Sequence, residues 1–105
     1  MQLTELQDQA ATVFLNNLKR DNIEQTNDYL VMKLSEELGE FVQSYLVHAK
    51  RCRPEKYLPE EESKRELSKE LADVLGIALV IAKTMEIDVE EALVKKWITR
   101  EWLKK

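Results

Sequence analysis

Apolar residues recur at three- and four-residue intervals along most of this chain, the period of an amphipathic helix rather than the alternation of a strand. Leu6, Ala10, Val13, Phe14 and Leu18 form the first stripe, and Thr4-Glu-Leu-Gln7 matches a capping box, predicting a helix over about Glu5 to Lys19. Arg20 to Thr26 is polar and reads as a loop. Thr26 or Asn27 then caps a second helix, from about Asp28 toward His48 or Arg51, with Leu30, Leu34, Leu38, Phe41 and Tyr45 as its stripe. Pro54 and Pro59 bracket the longest connection, Cys52 to Glu62, because proline removes backbone donors and turns its predecessor away from helix. Ser63-Lys-Arg-Glu66 reads as a second capping box, opening a third helix over about Lys64 to Thr84. Asp88-Val-Glu-Glu91 is a third, with Ile87 and Ala92 placed as a hydrophobic staple, and its helix is predicted to reach Leu103. Phe14, Phe41 and Met85 are assigned to the core.

Composition agrees with four helices. Two glycines and two prolines in 105 residues, with 44% hydrophobic and 34% charged residues, suit an all-α architecture in a single domain spanning 1–105. The longest apolar run, Val74 to Ala82, is about half what a membrane-spanning helix needs, so no membrane partner is expected. Cys52 has no intramolecular partner and the N-terminal residues lack a signal-peptide pattern, so a reducing cytoplasm is the expected setting. A net charge of −4 and a pI near 5.1 argue against binding a nucleic-acid polymer. Two basic segments stand against that balance: Lys50, Arg51, Arg53 and Lys56, and the C-terminal Lys95, Lys96, Arg100, Lys104 and Lys105. An acidic centre flanked by basic segments suits a small polyanion that arrives with its own cation.

The candidate chemistry lies in two carboxylate pairs, Glu37/Glu40 and Glu70/Asp73. Residues three apart share one face of a helix, so two such helices packed antiparallel bring four carboxylates together. On the third helix Glu70 and Asp73 share a sector with Ile77, Val80 and Ile81, which is apolar and expected to be covered; on the second, Glu37 and Glu40 flank the Leu34/Leu38/Phe41 stripe and Glu36 falls nearly opposite it. Four carboxylates at one place repel, and a divalent cation relieves that repulsion. Oxygen-only ligands favour Mg²⁺, with Mn²⁺ as a substitute. Gly39, inside the second helix, reads as admitting a close neighbour or ligand. His48 is assigned a structural or solvent-facing place, and the lack of a Glu-x-x-His pair weighs against the di-iron carboxylate bundles.

At Glu36-Glu37-Leu-Gly-Glu40 and Glu70-Leu-Ala-Asp73 the chain resembles the MazG-like all-α nucleoside triphosphate pyrophosphohydrolases, over roughly Leu30 to Arg100. The resemblance implies a four-helix bundle completed as a homodimer or homotetramer, and Mg²⁺-dependent cleavage of a (deoxy)nucleoside triphosphate to the monophosphate and pyrophosphate. It implies Glu37, Glu40, Glu70 and Asp73 as metal ligands, and Glu36 as a residue that positions the attacking water or a further ion, with Glu37 also acting in catalysis. Lys96 and Arg100, with Lys95, are the candidates for gripping phosphate, and Trp97, Tyr45 and Trp102 for stacking on a base. Many relatives carry a Lys followed four residues later by Asn and then Arg, whereas here Lys95 is followed by Thr99 and Arg100, so recognition through that Asn is absent. The competing readings are a phosphoribosyl-ATP pyrophosphohydrolase and a non-catalytic helical dimerisation module.

Overall fold

The computed structural model describes residues 1–103, and every regular element among them is helical. Helices α1 (Leu3–Arg20), α2 (Asn27–His48), α3 (Glu60–Thr84) and α4 (Val89–Leu93) follow in chain order. A short 3₁₀ turn, Pro54–Lys56, interrupts the α2–α3 connection, and α4 is followed by a π turn, Val94–Ile98, and a 3₁₀ turn, Glu101–Leu103. Lys104 and Lys105, the last members of the C-terminal basic segment, lie outside the described residues. The chain divides into two compact units. One is Asp28–Ala78, which is α2 with most of α3; the other is Met1–Asn27 together with the chain from Leu79 onward.

The helix starts depart from the capping boxes. Helix α1 opens at Leu3, with Gln2 as an N-cap that makes no side-chain bond, so Thr4 already lies in the first turn. Helix α3 opens at Glu60, directly after Pro59, and the Ser63 amide bonds back to the Pro59 carbonyl at 2.9 Å. Proline ahead of the first turn fixes the entry more firmly than the serine four residues on. Asp88 does cap: its Oδ1 accepts from the Glu91 amide at 3.0 Å. The helix it opens is far shorter than expected, because the chain widens into the π turn at Val94 and Arg100 turns to φ 58. Thr99, bonded from its hydroxyl and its amide to the Val94 carbonyl, closes that turn. Trp97, Ile98 and Thr99 in succession hold a helix weakly, which leaves room for this alternative.

Helices α1, α2 and α3 all stop in the same way. Ile23 bonds to the Leu18 carbonyl, Arg51 to Leu46 and Ile87 to Ala82, each across one left-handed residue: Asn22, Lys50 and Glu86. These are Schellman closures made without glycine. Both glycines of the chain instead sit inside helices, and a Cβ built on Gly39 or Gly76 meets nothing within 4 Å. Gly39 therefore admits no close neighbour from the described residues, contrary to the expectation for it.

Burial selects one face of each helix. In the Asp28–Ala78 unit Leu30 is 1% exposed and Ile77 is buried; in the other unit Ala11, Leu18, Val80 and Ala82 are buried. The Ile77/Val80 sector of α3 is covered as expected. On α2 the stripe is split: Leu30 is buried and Leu34 and Phe41 half-buried, but Leu38 and Tyr45 are about half exposed. Phe14 is half-buried as well, while Met85 is exposed and leaves the core.

A left-handed conformation costs a residue with a side chain about 1–2 kcal/mol, partly offset in glycine by its greater freedom when unfolded. Glu86→Gly is accordingly expected to stabilise the protein by about 0.5–1 kcal/mol, read as a higher urea midpoint. An unchanged or lower midpoint would show that Glu86 holds its turn by other contacts.

Candidate metal centre

The Asp28–Ala78 unit is a hairpin of α2 and α3 whose register can be read from its polar contacts. Near the turn, His48 Nδ1 lies 2.8 Å from Ser63 Oγ. The Ser63 hydroxyl donates to the Glu60 carbonyl at 3.0 Å, so the imidazole is the donor in its bond to Ser63. That is the structural role expected of His48. Eleven residues back along α2 stands Glu37, and correspondingly further along α3 stand Glu70 and Asp73. Carboxylate oxygens of these three residues all lie within 4.8 Å of one another. Antiparallel packing thus brings one member of the first pair, Glu37, against both members of the second, three of the four carboxylates that the spacing predicts.

Glu37 is the unusual member. It is 8% exposed, on the same face of α2 as Leu30 and Phe41, rather than at the edge of that stripe. Its Oε2 has no hydrogen-bond partner, and neither has Glu70 Oε2, although both atoms are shut off from water. Burial raises the pKa of Glu37, and the like charges of Glu40 and then Asp73 raise it further against a smaller opposing pull from Lys33. Lys33 is shared. Its Nζ donates to Glu36 at 2.9 Å and lies 3.5 Å from Glu37 Oε1, so it neutralises only part of the buried charge.

Glu40 is exposed and outside the group of three, but its charge acts on Glu37, and with Glu70 it lines the same cavity. Glu36 points to solvent in its ion pair with Lys33, as its helical position predicts. The basic candidates belong to the other unit, beyond the end of α4. Lys95 is paired with Glu91 and stands 5.9 Å from the Trp102 ring, Lys96 and Arg100 are exposed, and Trp97 is 73% exposed. Because the helix breaks before Arg100, Lys96 and Arg100 do not form the helical pair that their spacing suggests. Reading the sequence missed Lys33, Ser44 and Ser63. Lys33 had a visible signal, its position three and four residues ahead of two glutamates. Ser44, whose Oγ is buried without a partner, had none.

Two stranded carboxylate oxygens beside a third carboxylate fit a cation that accepts hard oxygen ligands. Glu37, Glu70 and Asp73 could together hold a divalent ion. An all-helical chain with an oxygen-only centre on an antiparallel hairpin defines the class. The model of the MazG nucleotide pyrophosphohydrolase domain matches residues 25–102, and the chain belongs to that family. Neither a curated protein nor a solved structure matches it.

The raised pKa of Glu37 has a consequence for stability. Folded Glu37 binds its proton more tightly than unfolded Glu37, so its contribution is fully present below the ordinary glutamate pKa and is lost as pH rises through the folded value. Glu37→Gln should therefore raise the melting temperature of the chelator-treated protein at about pH 8 and flatten its decline from acid pH. The same variant should lose the stabilisation that Mg²⁺ or Mn²⁺ gives the wild type. A variant that melts lower without metal, yet still responds to it, would show Glu37 to be an ordinary buried acid.

Proposed function

We propose that this chain hydrolyses a (deoxy)nucleoside triphosphate to the monophosphate and pyrophosphate with Mg²⁺, acting on the cytoplasmic nucleotide pool. The observation that supports this most is the pair of buried, unpartnered oxygens, Glu37 Oε2 and Glu70 Oε2, within a family of nucleotide pyrophosphohydrolases. Buried polar atoms are nearly always paired in folded proteins, so two orphans on members of one carboxylate group support a ligand there. No helix among the described residues is long and apolar enough to cross a membrane.

In this reading Glu37, Glu70 and Asp73 hold the ion, with Glu40 joining from the rim. Bound there, magnesium supplies charge neutralisation for the phosphates and acidifies water. Attack by water at the α-phosphorus breaks the bond to the α,β-bridging oxygen, and pyrophosphate leaves with that oxygen. The proton lost by the water passes to a carboxylate. Glu36, tethered by Lys33 outside the cluster, would orient the water, and Glu37, within the cluster, would take the proton. Lys96 and Arg100, which make no ion pair among the described residues, would hold phosphate oxygens, with Lys95 and Trp97 beside them in sequence.

A homo-oligomer accompanies this reading. On α2, Val31, Met32, Leu38, Val42, Tyr45 and Leu46 are exposed with Gly39 among them, and at about 100° per residue they share roughly 140° of arc that carries no charged residue between Val31 and Leu46, Asp28 entering it only in the first turn. On α3, Leu71 and Leu75 are exposed too. Apolar faces of this kind mark association surfaces, and a glycine with nothing beside it suits a partner helix approaching closely.

A pyrophosphate-release screen over ribo- and deoxynucleoside triphosphates, with phosphoribosyl-ATP included, tests the activity. Ala at Glu37, Glu40, Glu70 or Asp73 should each lower turnover on the order of 100-fold or more with the helical spectrum retained. Full activity in two of the four would remove the assignment, and saturation only by phosphoribosyl-ATP would select the histidine-pathway type of enzyme. Independently, Leu38→Glu with Val42→Glu should lower the mass found by sedimentation to that of one chain. A wild type that already sediments as a monomer would sink the oligomer, and a protein without saturable Mn²⁺ binding would be a helical module instead.

A further inference from the structure

Directly beside the acidic centre, between α2 and α3, lies a cavity of about 420 Å³. Glu70 belongs to both, and Glu40, whose charge acts on Glu37, lines the cavity beside it, so the cavity adjoins the centre. Its other walls include Gln43, Ser44 and Val47 of α2 and Leu58 from the loop before α3. We propose that this cavity receives the nucleoside part of the substrate and that the Ser44 hydroxyl is the hydrogen-bonding group that discriminates among nucleosides. The proposal rests on the triphosphate reading above, and adds to it the place of the uncharged half of the molecule.

Ser44 supplies the first argument. Its Oγ is buried and has no partner. A hydroxyl inside a helix ordinarily bonds back to the carbonyl one turn earlier, and this chain follows that habit elsewhere: Thr12 bonds to the Asp8 carbonyl at 3.0 Å and Ser68 to the Lys64 carbonyl at 2.8 Å. Ser44 does not. An unsatisfied buried hydroxyl weakens a folded protein, so its orientation away from the backbone is explained when a ligand supplies the missing bond.

Charge supplies the second. Besides Glu40 and Glu70, the cavity is lined by Glu66, half-buried and only partly offset by Lys69 at 3.3 Å. With Glu40 and Glu70 engaged at the ion, Glu66 is the carboxylate left on the wall, and the lining brings no cation of its own to a second phosphate, so a neutral occupant is favoured. Val47 and Leu58 give that occupant apolar contact, while the Ser44 hydroxyl and the Gln43 amide can each donate and accept. Two apolar residues beside convergent hydrogen-bonding groups suit an uncharged polar molecule. A triphosphate gripped at the acidic centre carries a sugar and base that need such a place within reach. Either a sugar hydroxyl or a base edge can make the bond to Ser44, and the assay separates the two.

The experiment compares wild type, Ser44→Ala and Val47→Phe, the last to fill the cavity. Mn²⁺ binding is measured alone, then binding of inorganic tripolyphosphate with Mn²⁺, then of the α,β-methylene analogue of whichever triphosphate is cleaved best. Both variants should bind Mn²⁺ and tripolyphosphate as the wild type does, and bind the methylene analogue at least fivefold more weakly. Ser44→Ala should melt no lower than wild type, and should narrow the range of kcat/KM across the nucleotide panel. Narrowing between ribo and deoxy substrates assigns the bond to the sugar; narrowing between bases assigns it to the base edge. Unchanged analogue affinity and an unchanged substrate ranking in Ser44→Ala, with Mn²⁺ binding intact, overturn the proposal while leaving the metal centre standing. A wild type that binds neither Mn²⁺ nor tripolyphosphate removes the triphosphate reading, and this one with it. If Val47→Phe does not fold, Ser44→Ala alone decides.

Discussion

A carboxylate sits on the buried face of a helix, among apolar side chains. Glu37 occupies the buried face of α2 between Leu30 and Phe41, and the hairpin brings Glu70 and Asp73 against it. Like charges 4–5 Å apart cost on the order of 3–4 kcal/mol per pair at an effective dielectric of 20, before the loss of hydration is counted. Lys33 offsets part of this from one side only, and two oxygens remain without any partner. Such a hairpin can hold its register only if other contacts fix it. The bond between His48 and Ser63 near the turn, and the apolar sector around Ile77, are where that anchoring resides. The fold thus keeps a centre poised for positive charge, at a cost to its own stability in the absence of one.

This centre was legible in the residue spacing, and the reason is geometric. Pairs three apart on two helices can meet in few ways, and the connection through Pro54 and Pro59 is the right length to bring them antiparallel. The burial of Glu37 was not legible. Helix α2 is apolar around most of its circumference, so its periodicity admits two core faces, and a helical wheel has no means of choosing between them. The hairpin chose the face with the acid and left Leu38 and Tyr45 outside. Capping motifs misled where a stronger local constraint stood nearby, as at Ser63 behind Pro59. Helix four failed for a different reason: its cap at Asp88 is real, but a start signal says nothing about length when the residues that follow hold a helix weakly.

A chain with 44% hydrophobic residues would be expected to bury many of them, yet few large apolar side chains disappear from solvent among the described residues. In the Asp28–Ala78 unit the remainder lies along the outer faces of α2 and α3. In the other unit it lies at Leu93, Val94, Trp97, Ile98 and Trp102, on the π turn and its flanks. Tryptophan at the surface costs solubility unless something covers it. The two glycines agree with this distribution, since each sits on a helix with open space in front of it rather than in a turn. In an ordinary monomer those positions would favour alanine.

Charge balance constrains any ligand of the acidic centre more tightly than shape does. A triphosphate and a group of three carboxylates repel each other, and with a net charge of −4 the rest of the chain does not reverse the sign of that field. Lys33, already shared between Glu36 and Glu37, has little attraction left to offer. Lysine side chains elsewhere act through water and salt, which screen them beyond about 8–10 Å. Under the proposed activity the cation is therefore a condition of binding and not only of chemistry. The phosphate chain and the ion must enter as one partly neutralised unit, with the acidic centre excluding free phosphate and the cavity beside it taking the uncharged remainder of the molecule.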